Sequence, residues 1–181
     1  VFFVRGDTDG GGTDGLPGHV DTILDGLDHI TVLDDEVAEV RVGDRTLVIG
    51  GTRLEHDVPD VTTPGGDRVR GRLLAQPADG AIAVHLSHRP DAVSVLPSAS
   101  RVDLTIAGHT HGGQVALPVL GPPVTLSSLP RHVAAGGLHY VDGNAVYVSS
   151  GVGMERGSAP QVRFGTRPSI GVLDLCEAPD G

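Results

Sequence analysis

Val102-Asp103-Leu104-Thr105-Ile106-Ala107-Gly108-His109-Thr110-His111-Gly112-Gly113-Gln114 is the stretch on which the fold turns. An apolar run of strand length leads straight into a turn framed by glycines. Short apolar runs bounded by glycine read as buried strands, and open α/β sheets place their sites just past the C-terminal ends of strands. The turn carries two histidines, His109 and His111, separated by one small polar residue. Imidazole is the commonest protein ligand for transition metals, and flanking glycines let the backbone come close to an ion or a phosphate. At this point two readings stand open: a metal-binding turn, or two loop histidines facing solvent.

Working outward, two more strand-to-loop transitions have the same form. The run Ala81 to Leu86 leads into Ser87-His88-Arg89-Pro90-Asp91, and Val1 to Val4 leads into Arg5-Gly6-Asp7-Thr8-Asp9. Leu16, Val20, Ile23, Leu24 and Leu27 recur at steps of three and four, which predicts a helix. Ile30 to Leu33 reads as a strand. Glu39 to Val42 and Thr46 to Ile49 read as a hairpin around Gly43-Asp44-Arg45. Positions 52–66 read as a long surface loop, and Val69, Leu73 and Leu74 as a short helix ended by Pro77. A short helix is expected over 91–96. The proline-rich positions 117–130 read as loop. A second hairpin is expected from Leu138 to Val141 and Ala145 to Ser149 around Asp142-Gly143-Asn144. Positions 151–168 read as irregular and 170–175 as a closing strand. Helices alternate with strands early and strands dominate later, which predicts an α/β sheet packed on a second, more antiparallel one.

Composition narrows the class. The chain has 181 residues, 39% hydrophobic and 20% charged, as in a globular protein, and suits one domain. Its 23 acidic against 13 basic residues leave a net charge of −10, and every basic residue is arginine. So acidic a chain lacks the positive footprint that non-specific nucleic-acid binding needs. A bound metal could still bring in an anionic substrate. The one cysteine, Cys176, sits in an apolar run and reads as a buried thiol. No apolar stretch approaches the ~20 residues of a membrane helix. The chain opens directly on a strand and its one methionine is Met154, so an upstream part of the fold is expected.

The three strand-end motifs, in order, resemble the last three motifs of the calcineurin-like metallophosphoesterases: G-N-H-D or G-N-H-E, a single histidine after a strand, and G-H-T-H. Pro90-Asp91, Gly112-Gly113-Gln114, Gly151-Val152-Gly153 and Arg163-Phe164 look like the bacterial branch of that family. The resemblance covers nearly the whole chain, and its most specific part is His88 standing 21 residues before His109. It implies an α/β fold that forms part of a four-layer α/β/β/α double-sheet sandwich with mixed sheets, residues 1–181 being the C-terminal portion of a single domain. In the family two divalent ions (Mn, Fe or Zn) share a bridging hydroxide that attacks phosphorus in line with the leaving group. The resemblance therefore implies a phosphate-ester substrate, His88 and His109 on one ion, His111 on the other, and Asp7 as a further ligand.

Two departures stand out. The family's first two motifs, D-x-H and G-D-x-x-D, have no counterpart in these residues. Where the family has G-N-H-D, this chain has Gly6-Asp7-Thr8-Asp9. Asp7 puts a carboxylate in place of a neutral ligand, which still suits a hard or borderline cation. Thr8 stands in for the histidine that protonates the leaving group, and losing such a group costs ~10²–10⁴-fold in rate. Asp9 reads as a carboxylate that orients its neighbours. Two alternatives follow: a non-catalytic relative that binds a ligand through the same fold, and a hydrolase with one zinc held by His88, His109 and His111. His85, inside its strand, reads as a packed core residue. His19, His29, His56, His132 and His139 have no motif around them. Arg89 could meet substrate phosphate or be a solvated loop residue, and Gly112 and Gly113 could bring backbone N–H groups to the site or only make the turn.

Overall fold

A computed structural model describes residues 1–7, 9, 19–53, 63–76, 81–154 and 160–176. Most strands lie where the apolar runs place them. β1 (Phe2–Phe3) pairs in parallel with β2 (Thr31–Val32), and α1 (His19–Leu24) lies between them in sequence. The expected helix start at Leu16 lies outside the described residues. β3 (Glu36–Val42) and β4 (Arg45–Thr52) form the first hairpin, closed by Gly43 and Asp44.

α2 (Pro64–Leu74) begins well before the helix that the apolar spacing marks. Its first turn, Pro64-Gly65-Gly66, looks like loop by composition. Yet Thr63 caps it, its Oγ1 accepting from the Gly66 amide at 2.9 Å, and Pro64 at the first position needs no partner for its missing N–H. The surface-loop expectation for 52–66 therefore fails at both ends, since Thr52 closes β4. Positions 54–62 lie outside the described residues.

β5 (Ala81–Ser87) is followed by a 3₁₀ turn over Pro90–Val95, and β6 (Leu104–Ala107) by another over His111–Gly113. α3 (Arg131–Ala134) has no counterpart in the sequence reading; four residues are too few to set up a periodicity. β7 (Gly137–Val141) and β8 (Asn144–Val148) form the second hairpin.

The late strands do not build a sheet of their own but join the earlier ones, and β1 and β2 form a separate two-stranded sheet. One six-stranded mixed sheet runs in the order β3-β4-β5-β6-β8-β7. β4, β5, β6 and β8 are parallel, and β3 and β7 edge it antiparallel. The hairpin inserts because β8 is apolar on its inward positions: Val146 and Val148 are at most 1% exposed. They join Val48 and Ala83 of the sheet, Val69 and Leu73 of α2, Val93, and Val133 of α3 in one core.

The closing strand expected at 170–175 is also corrected. The segment has no strand pairing, and Ile170 and Val172 are exposed. Cys176 is likewise exposed rather than buried. His85 is a fully buried core residue as read, its Nε2 lying 3.1 Å from Thr52 Oγ1. Burial, with the nearby Arg70 charge, pushes its pKa down to about 4.

Candidate metal centre

Parallel packing of β5 and β6 sets His88 and His109 side by side at the same sheet edge. The two loops are tied directly: the Gly108 amide donates to the His88 carbonyl at 3.0 Å. Asp7 arrives from the end of β1. Its Oδ1 lies 3.1 Å from His88 Nε2 and its Oδ2 3.1 Å from His109 Nδ1. The two ring nitrogens are themselves 3.1 Å apart. Asp7, His88 and His109 thus offer three ligand atoms within 4.8 Å of one another.

Local structure explains how Asp7 is presented. The Gly6 amide donates to Asp9 Oδ2 at 2.7 Å, so Asp9 closes the turn and orients the loop. Gly6 is needed there, because a Cβ on it would stand 2.7 Å from the His88 ring. Thr8 lies outside the described residues.

The turn over Gly108–Gln114 is not extended. His109, His111 and Gln114 have φ of 66°, 49° and 59°. Non-glycine residues in the left-handed region persist only where surroundings impose them, and they gather at functional sites. Here the surroundings are specific. Thr110 Oγ1 accepts from the Gly112 amide at 3.3 Å. Gly113 packs so tightly that a Cβ would meet Pro122 at 2.2 Å.

The His109 ring is held from behind. Its Nε2 lies 3.2 Å from the Leu126 carbonyl oxygen. A carbonyl only accepts, so Nε2 carries a proton, and Nδ1 is the ring atom turned toward the cluster. Nδ1 faces a carboxylate and a second imidazole. A divalent cation fits this donor set of one carboxylate and two imidazoles. Hydrogen bonding to His109 and then His88 holds the Asp7 carboxyl far below its usual range, outweighing its partial burial.

His111 stands outside the three-residue group. Its carbonyl accepts from Arg163 Nη1 at 3.3 Å, and its Nδ1 lies 3.4 Å from Nη2. Arg163 also donates to the carbonyls of Ser150 and Gly153, tying three loops together. The structure thus gathers Asp7 rather than His111 with His88 and His109, which is not the geometry of one zinc on three histidines. Arg89 is mostly buried and donates to the Leu126 carbonyl at 3.4 Å, so it is not a solvated loop residue. His132 and His139 pack ring to ring, 5.8 Å between centroids, and neither belongs to the three-residue group. His56 lies outside the described residues.

The Leu126 carbonyl is invisible to sequence reading. A backbone carbonyl leaves no side-chain signature, and the loop that carries it reads only as proline-rich. Asp91 was visible as part of the Pro90-Asp91 motif but without a role.

The chain is 33% identical over 138 residues to the uncharacterized metallophosphoesterase YkuE of Bacillus subtilis, covering 75% of this chain and 45% of that protein. It is 30% identical over 148 residues to the phosphodiesterase YaeI of Escherichia coli, covering 81% and 47%. The metallophosphoesterase YkoQ of B. subtilis matches at 31% over 85 residues, 47% of this chain and 30% of that protein. No protein-family model matches the chain, and no solved structure does. The chain belongs to the metallophosphoesterase family. It spans about half the length of YkuE and YaeI.

Proposed function

We propose that this chain is the C-terminal portion of one metallophosphoesterase domain, of the four-layer double-sheet type, whose intact form hydrolyses phosphate esters with divalent metal ions. The observation that carries the reading is the convergence of Asp7, His88 and His109, their facing atoms 3.1 Å apart, at strand ends in a chain of this family. When bound, divalent cations polarise phosphoryl oxygens and make water a better nucleophile at neutral pH. Asp7, His88 and His109 hold one such ion. His111 serves a second, whose remaining ligands come from outside these residues. Manganese, iron and zinc all suit carboxylate–imidazole sites of this kind.

In sequence Thr8 stands where the family motif has its general-acid histidine, and a threonine hydroxyl is too weak an acid to protonate a leaving group near neutral pH. Substrates with acidic leaving groups, such as aryl phosphodiesters, are therefore favoured. The test is hydrolysis of bis(p-nitrophenyl) phosphate by the intact protein supplied with Mn²⁺, Fe²⁺ or Zn²⁺. Activity should vanish with chelator and in Asp7→Ala. Absence of metal-dependent turnover with all three ions refutes the reading.

Thr8 also favours a second reading, a non-catalytic protein that keeps the site to bind a ligand. Thr8→His separates the two. A large gain in turnover marks a weakened enzyme, and no activity in either form marks a binding protein.

A further inference from the structure

We propose that Asp91 is a positioning residue that locks one tautomer of His109 through the backbone strap Leu126–Ser128. The inference rests on the reading of Asp7, His88 and His109 as a metal site and adds the device that aims one of its ligands.

Asp91 is buried, 5% exposed, in the 3₁₀ turn that follows the His88 loop. Its Oδ1 accepts twice from a residue 37 positions away: from the Ser128 amide at 2.7 Å and the Ser128 hydroxyl at 2.6 Å. Burial pushes this carboxyl up, but the Ser128 hydrogen bonds, helped by Ser127 and Arg89, together bring it below its usual range. The strap is thus pinned by an anion. Two residues before Ser128, the Leu126 carbonyl accepts from His109 Nε2 at 3.2 Å and from Arg89 Nη2 at 3.4 Å. Arg89 Nε lies 3.7 Å from Asp91 Oδ2, which closes a ring of contacts back to the starting carboxylate.

The aim of that carbonyl is not what the local backbone prefers. Leu126 has φ 51°, a left-handed conformation that a bulky residue adopts only when its surroundings impose it. The surroundings are Asp91 on Ser128 and, next to it, Leu129 in the core at 7% exposure. With the carbonyl held, His109 must keep its proton on Nε2 and offer Nδ1 to the cluster. Metal-ligating histidines generally give their other N–H to such a partner, and loss of the partner typically lowers metal affinity ~10–100-fold.

The experiment uses the intact protein with ¹⁵N-labelled histidine and Asp91→Ala, Asp91→Asn and Ser128→Ala variants. Imidazole spectra of the metal-free forms report the His109 tautomer, and Zn²⁺ titration reports affinity. Asp91→Ala and Ser128→Ala should mix the His109 tautomers and lower Zn²⁺ affinity by ~10–100-fold. Asp91→Asn should restore both, because its amide oxygen can accept the same two Ser128 donors. An unchanged tautomer and affinity in Asp91→Ala and Ser128→Ala overturns the proposal. So does an affinity loss with the tautomer unchanged, or one that asparagine does not rescue. If Asp91→Ala does not fold, Ser128→Ala decides, since it removes a single hydroxyl. If the wild-type protein binds no Zn²⁺, the metal reading fails, and the metal-free spectra still judge the strap.

Discussion

Acidification should weaken this fold through one residue, His85. It is fully buried in the middle of β5, with Nε2 against the Thr52 hydroxyl. Its Nδ1 has no hydrogen-bond partner among the described residues, so an added proton would be a buried donor with nothing to accept it. Its pKa is pushed from 6.5 down to about 4, by burial first and the Arg70 charge second. A histidine with a depressed native pKa leaves the unfolded chain binding more protons between those two values. Stability therefore falls as pH drops through that window. Linkage over those pKa values makes the loss between pH 7 and pH 5 about 2 kcal/mol. Asp7 and Asp91, whose pKa values are lowered from 3.8, act only below this window. The assay is urea unfolding at pH 7 and pH 5 for the wild-type protein and for His85→Gln, whose amide can still meet Thr52. The variant should lose less stability than the wild type by roughly that 2 kcal/mol. Equal pH dependence in the two proteins would refute the assignment of the effect to His85.

Two further outcomes concern the metal centre. Gly6→Ala places a Cβ 2.7 Å from the His88 ring and must displace it. Metal affinity should fall on the order of tenfold or more, while urea unfolding of the metal-free protein changes little; isothermal titration with Mn²⁺ or Zn²⁺ measures the first effect. Metal affinity should also decline as pH falls, because the donor nitrogens of His88 and His109 must be unprotonated to bind. Asp7, held far below the usual carboxylate range, should not limit binding, so a proton-release count above pH 5 that required its titration would contradict the geometry.

Much of this was legible one residue at a time. Apolar runs ending in Gly6-Asp7, Ser87-His88 and Gly108-His109 announced strands whose ends carry chemistry, because strand placement follows from local hydrophobic pattern. Asp9 accepts from the Gly6 amide within its own turn, and His85, read as core, is buried. Legibility failed where partners lie far apart in the chain. α2 starts at Pro64 because Thr63 caps it and its glycines pack inward, neither of which a hydrophobic count registers. The segment at 170–175 has strand composition but no strand pairing among the described residues, and β propensity without a paired partner makes no strand. Cys176 follows it to the surface.

Which side chains could bind a metal, and on which strands they ride, can be read locally, since residue type and periodicity are local properties. Which of them meet depends on how the chain folds back on itself. The tertiary structure brought Asp7 and not His111 to the His88–His109 pair, and bent the H-x-H turn into left-handed geometry. It also set the Leu126 carbonyl behind His109. Each of these depends on contacts between segments tens of residues apart, and no local pattern encodes where a distant loop will close.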